Sequence, residues 1–318
     1  MPPMLKNNRG LALVMVMWML VMLVVFASEL AVSARSDVSA VRNFKEDRQA
    51  YFIANAGVEM AFSEILADSD YHYYSGGQLL FARNGDETSP PNLAPRSGIS
   101  LGGGQLAYVI RDESEKLNLN TLARNDAQLR LLFQTLFPSG VDGGDTAIDS
   151  IQDWVDRDEY HRPNGAESDS YETLNPPYKS KNAEFDTVSE LKKVKGVSQE
   201  IHAALEKVVT VMPVSRLNPN TASGVALIAE GMPPEQVAAL LGDREKRGYV
   251  DANAKSDVFE ITATGSFQGS RLTHSIRVWV KKTGPRALTV LNWIDDYYEL
   301  HAIAGGKNRG EQLATPTP

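Results

Sequence analysis

The chain has 318 residues, with 40 Asp and Glu against 32 Lys and Arg, and no cysteine. A net charge of −8 argues against a broad nucleic-acid surface, whose affinity comes from cations neutralising phosphates. The missing cysteine excludes disulfide staples and thiol chemistry. The length leaves room for about one to three domains with ample core.

A short basic leader with Lys6 and Arg9 runs into residues 11–28, LALVMVMWMLVMLVVFAS, which carry no charge. As a helix this run spans about 27 Å, close to the hydrocarbon thickness of a bilayer. Basic residues on the leading side predict a cytoplasmic N-terminus, with everything after Glu29 across the membrane. Three processing fates fit the segment. It can be cut near Val32-Ser33-Ala34 as a secretory signal, stay uncut as an anchor, or be cut after Gly10 to leave Leu11 first. The last arrangement, Arg9-Gly10 directly before the apolar run, resembles the class III leader of type IV pilins and pseudopilins.

No Gly or Pro occurs between Leu11 and Gly57, which predicts one long helix. Beyond Val32 the apolar residues return at helical spacing, at Val38, Val41, Phe44, Tyr51, Phe52, Ala54, Val58, Phe62 and Ile65. The membrane-spanning helix therefore continues as an amphipathic one to about Ala67.

Residues 71–100 are rich in Gly, Pro, Asn and Ser and read as loop. Residues 105–111 alternate as a strand. Residues 258–267 and 271–281, joined by Gln268-Gly269-Ser270, read as a hairpin, and 288–293 as one more strand. Between them helical patterns fall at 126–137, 147–156, 188–193, 199–208, 222–230 and 234–241. The expected fold class is α+β: a long N-terminal helix on a small antiparallel sheet, with a large helical domain inserted between strands. The expected boundaries are a leader at 1–10, the stem at 11–67, a sheet domain from 68–112 and 251–300, an insert at 113–250, and a tail at 301–318.

Two features of the insert are structural in character. Leu117-Asn118-Leu119-Asn120-Thr121 recurs as Leu217-Asn218-Pro219-Asn220-Thr221, each ahead of a helix whose free N–H groups Asn and Thr can satisfy. Residues 188–205 read as a helix-hairpin-helix (SAM-like) unit turning at Gly196. Lys192, Lys193 and Lys195 beside it carry the alternative reading of an anchored DNA-binding protein. The second turn glycine of such a hairpin is absent, and the surroundings are acidic.

The densest chemistry is acidic. Between Asp145 and Glu172 nine carboxylates face two bases, Arg157 and Arg162. Asp149, Asp153 and Asp156 share one helix face, and Asp158 with the Gly165-Ala166-Glu167 loop can fold back toward its end. Converging carboxylates repel unless a hard cation such as Ca²⁺ takes them; the alternative is a solvated acidic face. Tyr160 and His161 exclude an EF-hand.

Four stretches together resemble general secretion pathway protein K, the K-type minor pseudopilins of type II secretion. They are Gly10-Leu11-Ala12-Leu13 with its apolar helix, KLNLNT at 116–121, Asp153-Trp154-Val155-Asp156 with Gly165-Ala166-Glu167, and FDTVSELKKVKG at 185–196. The resemblance implies a tip subunit of the pseudopilus. Prepilin peptidase would cut after Gly10 and methylate Leu11. The stem would pack with I- and J-type minor pseudopilins, and the insert would touch secreted substrates or the outer-membrane secretin. It implies an inner-membrane, single-pass protein with a periplasmic bulk. It also implies structural Ca²⁺, held by Asp156, Asp158, Glu167 and Asp169, with Asp153 as a further ligand. Most pseudopilins carry Glu at the fifth mature position, which here is Met15. An uncharged residue there is typical of the K-type member.

Enzyme readings fare poorly. Gly98-Ile99-Ser100-Leu101-Gly102 matches Gly-x-Ser-x-Gly, but it follows a Pro-rich loop and precedes a strand, so it reads as a turn. The five histidines lack zinc-ligand spacing, and no sugar cleft surrounds the paired carboxylates.

Overall fold

A single helix, α1 (Arg9–Leu66), carries the chain out of its apolar segment and onto the sheet. The computed structural model describes residues 9–67, 71–82, 95–251, 254–270 and 272–295. Most of the leader, the Pro90-Pro91 segment, Arg271 and the tail lie outside these residues. Only the last third of α1 is buried, through Ala50, Ile53, Ala54, Val58, Ala61 and Ile65. These fall at the three- and four-residue spacing of one helix face. Small residues let helix and sheet approach closely: a side chain at Gly265 would run into the α1 backbone at Ala50 and Ala54.

The earlier part of α1 remains exposed and includes a run long and apolar enough to cross a membrane. The expected amphipathic face divides. Val58 and Ile65 are buried, whereas Val38, Val41, Phe44 and Phe52 stay exposed. Ile53 and Ala54, not Phe52, meet the sheet.

The loop expected over 71–100 needs correction, because strands β1 (Tyr71–Ser75) and β2 (Gln78–Ala82) form an antiparallel hairpin there. Gly76-Gly77 turns it with both φ angles positive, the geometry a two-residue hairpin turn requires. Leu79 and Phe81 of β2 enter the core under α1. The turn expected over 98–102 is likewise part strand. Ser100 lies on β3 (Ile99–Leu101), which pairs antiparallel with β4 (Gly104–Asp112). A strand followed by a strand has no nucleophile elbow.

After β4 the chain leaves the sheet. A 3₁₀ turn (Glu113–Glu115) leads to β5 (Leu117–Asn118), α2 (Leu119–Leu122), α3 (Asp126–Leu136), α4 (Gly144–Val155) and α5 (Ser168–Glu172). A second 3₁₀ turn (Val188–Lys193), expected as a helix, precedes α6 (Gln199–Leu205), β6 (Val209–Thr210), α7 (Gly224–Ala229) and α8 (Pro234–Arg247). β5 and β6 pair in parallel. These helices close a core of their own around Leu119, Leu129, Leu132, Ile151, Leu191 and Ile201. The chain then returns as β7 (Val258–Phe267), β8 (Thr273–Gly284) and β9 (Ala287–Ile294). The main sheet runs β3-β4-β7-β8-β9, antiparallel throughout, with α1 on one face. The expected α+β architecture with an inserted helical domain is thus what the chain forms.

The two related Asn motifs do parallel work. Asn118 Oδ1 accepts from the Asn120 and Thr121 amides, and Asn218 Oδ1 from the Asn220 amide. The second Asn of each motif then grips a distant backbone. Asn120 bonds Phe185 both ways, and Asn220 holds Val250, Asp251 and Ala254. Asn218 also closes a buried hub where the insert leaves the sheet. Its amide donates to Asp112 at 2.8 Å, beside the Thr221 hydroxyl at 2.6 Å and the Ser114 amide at 2.8 Å.

Candidate functional site

The acidic segment of the insert builds from the C-terminal half of α4 and the loop that follows it. α4 is buried from Ala147 onward, so its acids cannot all face water: Asp149 is 2% exposed and Asp153 is 0% exposed. A buried carboxylate needs a donor or a cation, and two arginines meet most of this need. Arg130 Nη2 donates to Asp149 at 2.7 Å, where the Asn164 amide also bonds. Arg162 Nη1 reaches both Asp153 and Asp156 at 2.6 Å, and its backbone amide also donates to Asp153. The loop folds back this closely because residue 165 is Gly. A side chain there would run into the Asp153 carboxylate.

Two carboxylates are less well satisfied, and an exposed third lies near them. Asp156, Asp158 and Glu167 bring one oxygen each within 4.8 Å of one another. Glu167 is 1% exposed, and neither of its carboxylate oxygens has a hydrogen-bond partner. Asp156 Oδ1 also lacks one. Burial, and then the charges of Asp153, Asp156 and Glu159, push the Glu167 carboxyl up to about 7. Asp156 is raised too, chiefly by burial, with Arg162 opposing. Orphaned buried oxygens of this type fit a hard divalent cation, which Ca²⁺ would satisfy with carboxylate and water oxygens. Asp156, Asp158 and Glu167 would hold it, joining the end of α4 to the 165–167 loop. Asp153 lies beside them but is engaged by Arg162. Asp169 turns away, with its carboxylate 3.0 Å from His161 Nε2.

The lysine-bearing hairpin has a different character. Three of its amides are spent within the fold: Val194 donates to Leu191, Lys195 to the Tyr171 hydroxyl and Val197 to Val194. Gly196 packs against Thr146 and Ala147 of α4. A DNA-binding hairpin offers its turn amides to phosphates, and here these three are taken.

The comparisons with known proteins bear on the same region. The family model for type II secretion system (T2SS) protein K matches residues 115–214, which span the acidic segment and the hairpin. Over most of its length the chain is similar to proteins of that name. It is 26% identical over 264 residues to type II secretion system protein K of Pectobacterium carotovorum subsp. carotovorum, covering 77% of each chain. It is 24% identical over 268 residues to the putative type II secretion system protein K of Escherichia coli K12, covering 78% of this chain and 79% of that one. With the Pseudomonas aeruginosa protein K it shares 27% over 278 residues, 83% of this chain and 80% of the other. The chain is thus similar to the protein K family of type II secretion systems, whose model its residues 115–214 match.

The fold is similar as well. A chain in the crystal structure of the GspK-GspI-GspJ complex from enterotoxigenic Escherichia coli superposes with a TM-score of 0.58. It is 18% identical and covers 81% of this chain and 100% of its own. Gly10 and Leu11 fall inside the first turns of α1, whose helix is continuous from Arg9. Sequence reasoning missed Arg162 and Arg130 as the internal cations of the acidic segment. Arg162 could have been found from its place between Asp158 and Glu167, because a lone base among many acids is drawn to the buried ones. Arg130 gives no local signal, since it meets Asp149 only through the packing of α3 on α4.

Proposed function

We propose that this chain is a minor pseudopilin at the tip of the type II secretion pseudopilus, held in the inner membrane by α1 with its N-terminus cytoplasmic and its folded part periplasmic. The observation that carries this reading is the division of α1. Its last third is bound to the sheet, while Val38, Val41, Phe44 and Phe52 continue the apolar run outward and stay exposed. Exposed apolar residues on a helix outside the membrane mark a surface meant for other proteins. Stems of I- and J-type minor pseudopilins are the fitting partners, and the complex containing the solved relative names GspI and GspJ. Met15 in place of a carboxylate fits a subunit with no neighbour above it.

In this reading prepilin peptidase cuts between Gly10 and Leu11 and methylates the new N-terminus. The insert forms the cap and meets exported proteins and the secretin, without catalysis of its own. Ca²⁺ at Asp156, Asp158 and Glu167 serves structure. The test is the intact mass and N-terminal sequence of protein purified from native membranes. N-methylated Leu11 at the start is the expected result. A start near Arg35, or retention of Met1, would sink the proposal.

A further inference from the structure

The far side of the insert carries a groove that the tip reading does not use. It has a volume of about 830 Å³, within the range of sites that take a ligand of several residues. Its floor is apolar. Trp154 stacks on Phe185 at 6.3 Å and meets the edge of Tyr178, while Leu174, Pro176 and Pro177 form an exposed wall. Trp154 is 3% exposed, yet its indole N–H has no hydrogen-bond partner. Buried polar groups in folded proteins nearly always have one.

The rim is basic in a chain that is acidic overall. Lys179, Lys181 and Lys193 line the groove, and Lys192 and Lys195 continue from it past Tyr178. Glu190 on this rim shares Lys181 with Asp186 and also accepts from the Asp186 and Thr187 amides. Asp169, at the far end, is held by His161. Lys179 makes only an exposed pair with Glu172, of little worth. Lys192, Lys193 and Lys195 are exposed and make no ion pair among the described residues.

We infer that this groove binds an extended acidic polypeptide segment, with apolar side chains laid against Leu174, Pro177 and Tyr178 and carboxylates facing Lys192, Lys193 and Lys195. An aromatic and proline-lined floor suits an extended chain. The unpaired lysines set the sign of its charge. Nucleic acid shares that sign but not the apolar requirement, and the Val194, Lys195 and Val197 amides of the hairpin are internally bonded. The inference stands whether or not the chain sits at a pseudopilus tip.

The test is fluorescence anisotropy on the full-length chain in detergent micelles. Three labelled probes are used: a peptide of alternating Glu and Tyr, its Lys–Tyr counterpart, and a single-stranded oligonucleotide of matched length. Selective binding of the acidic peptide is expected. Combined Lys193→Glu and Lys195→Glu should weaken it about tenfold, as loss of two complementary charges does. Leu174→Asp should weaken it comparably, and Lys246→Glu, on α8, should not. Leu174 and the lysines are exposed, so the variants keep the fold. Binding of the oligonucleotide as tight as that of the peptide would overturn the inference. Peptide affinity that ignores either Leu174→Asp or the lysine pair would overturn it as well.

Discussion

His274 on β8 lies 3.0 Å from Asp47 of α1, so a single imidazole fastens the stem to the sheet at the point where the helix departs from it. Its other ring nitrogen is 2.7 Å from Asp295, just past β9. Burial works against a charge on this ring, but the hydrogen bonds to Asp295 and Asp47 outweigh it, and the His274 pKa is raised above 6.5.

A raised histidine pKa contributes stability that is complete below about 6.5 and is lost as pH rises through the folded value. The stem–sheet clamp therefore weakens on the alkaline side. His274→Gln should lower the unfolding midpoint at pH 6 by about 2 °C, with a smaller difference at pH 9, measured by circular dichroism. Both carboxylates are about half exposed, which keeps the effect modest.

A dependence of the same sign, at lower pH, is expected at Glu167. Its carboxyl is raised from 4.5 to about 7, so the fold loses stability as pH climbs through that interval and levels off above it. In chelator-treated protein Glu167→Gln should flatten this decline. Added Ca²⁺ should restore the wild-type midpoint above pH 7 and leave the variant unmoved.

Gly165→Ala should be costly although the residue is in a loop. The new methyl group meets the Asp153 carboxylate, and relief requires shifting either the loop or a buried, Arg162-bonded acid. A loss of about 1–3 kcal/mol follows, visible as a lower denaturation midpoint in urea.

At the hub beneath the insert, Asn218→Ala removes a donor from buried Asp112 and an acceptor from the Asn220 amide. The cost should be about 2–3 kcal/mol. Limited proteolysis should then find the segment around Asp251, which Asn220 holds, before it finds the insert core.

Phe44→Glu combined with Phe52→Glu should leave the head intact, because both rings are exposed and such changes cost little. Copurification with I- and J-type partners should fail. Full retention of both partners would show that this stem face is not the shared surface.

Periodicity made the stem and hairpin β7–β8 legible, since each buries a face at the spacing its own geometry sets. The hairpin β1–β2 was hidden by Gly76-Gly77, which as composition resembles a loop and as geometry makes a tight turn. Asp156, Asp158 and Glu167 were legible as a group from their density and the Gly-Ala-Glu loop. Asp169 was not separable from them, because a neighbouring acid's direction depends on His161, a tertiary partner. The face of α1 was misjudged at Phe52 because an apolar pattern on a helix does not say whether its partner lies in the same chain.

The insert leaves the sheet after Asp112 and returns just before Phe259, and these two residues face each other across adjacent strands. Its two tethers are therefore rungs of one ladder. The joint between sheet and helical domain is therefore a paired ladder, closed at its end by Asp112, and not a single connecting strand.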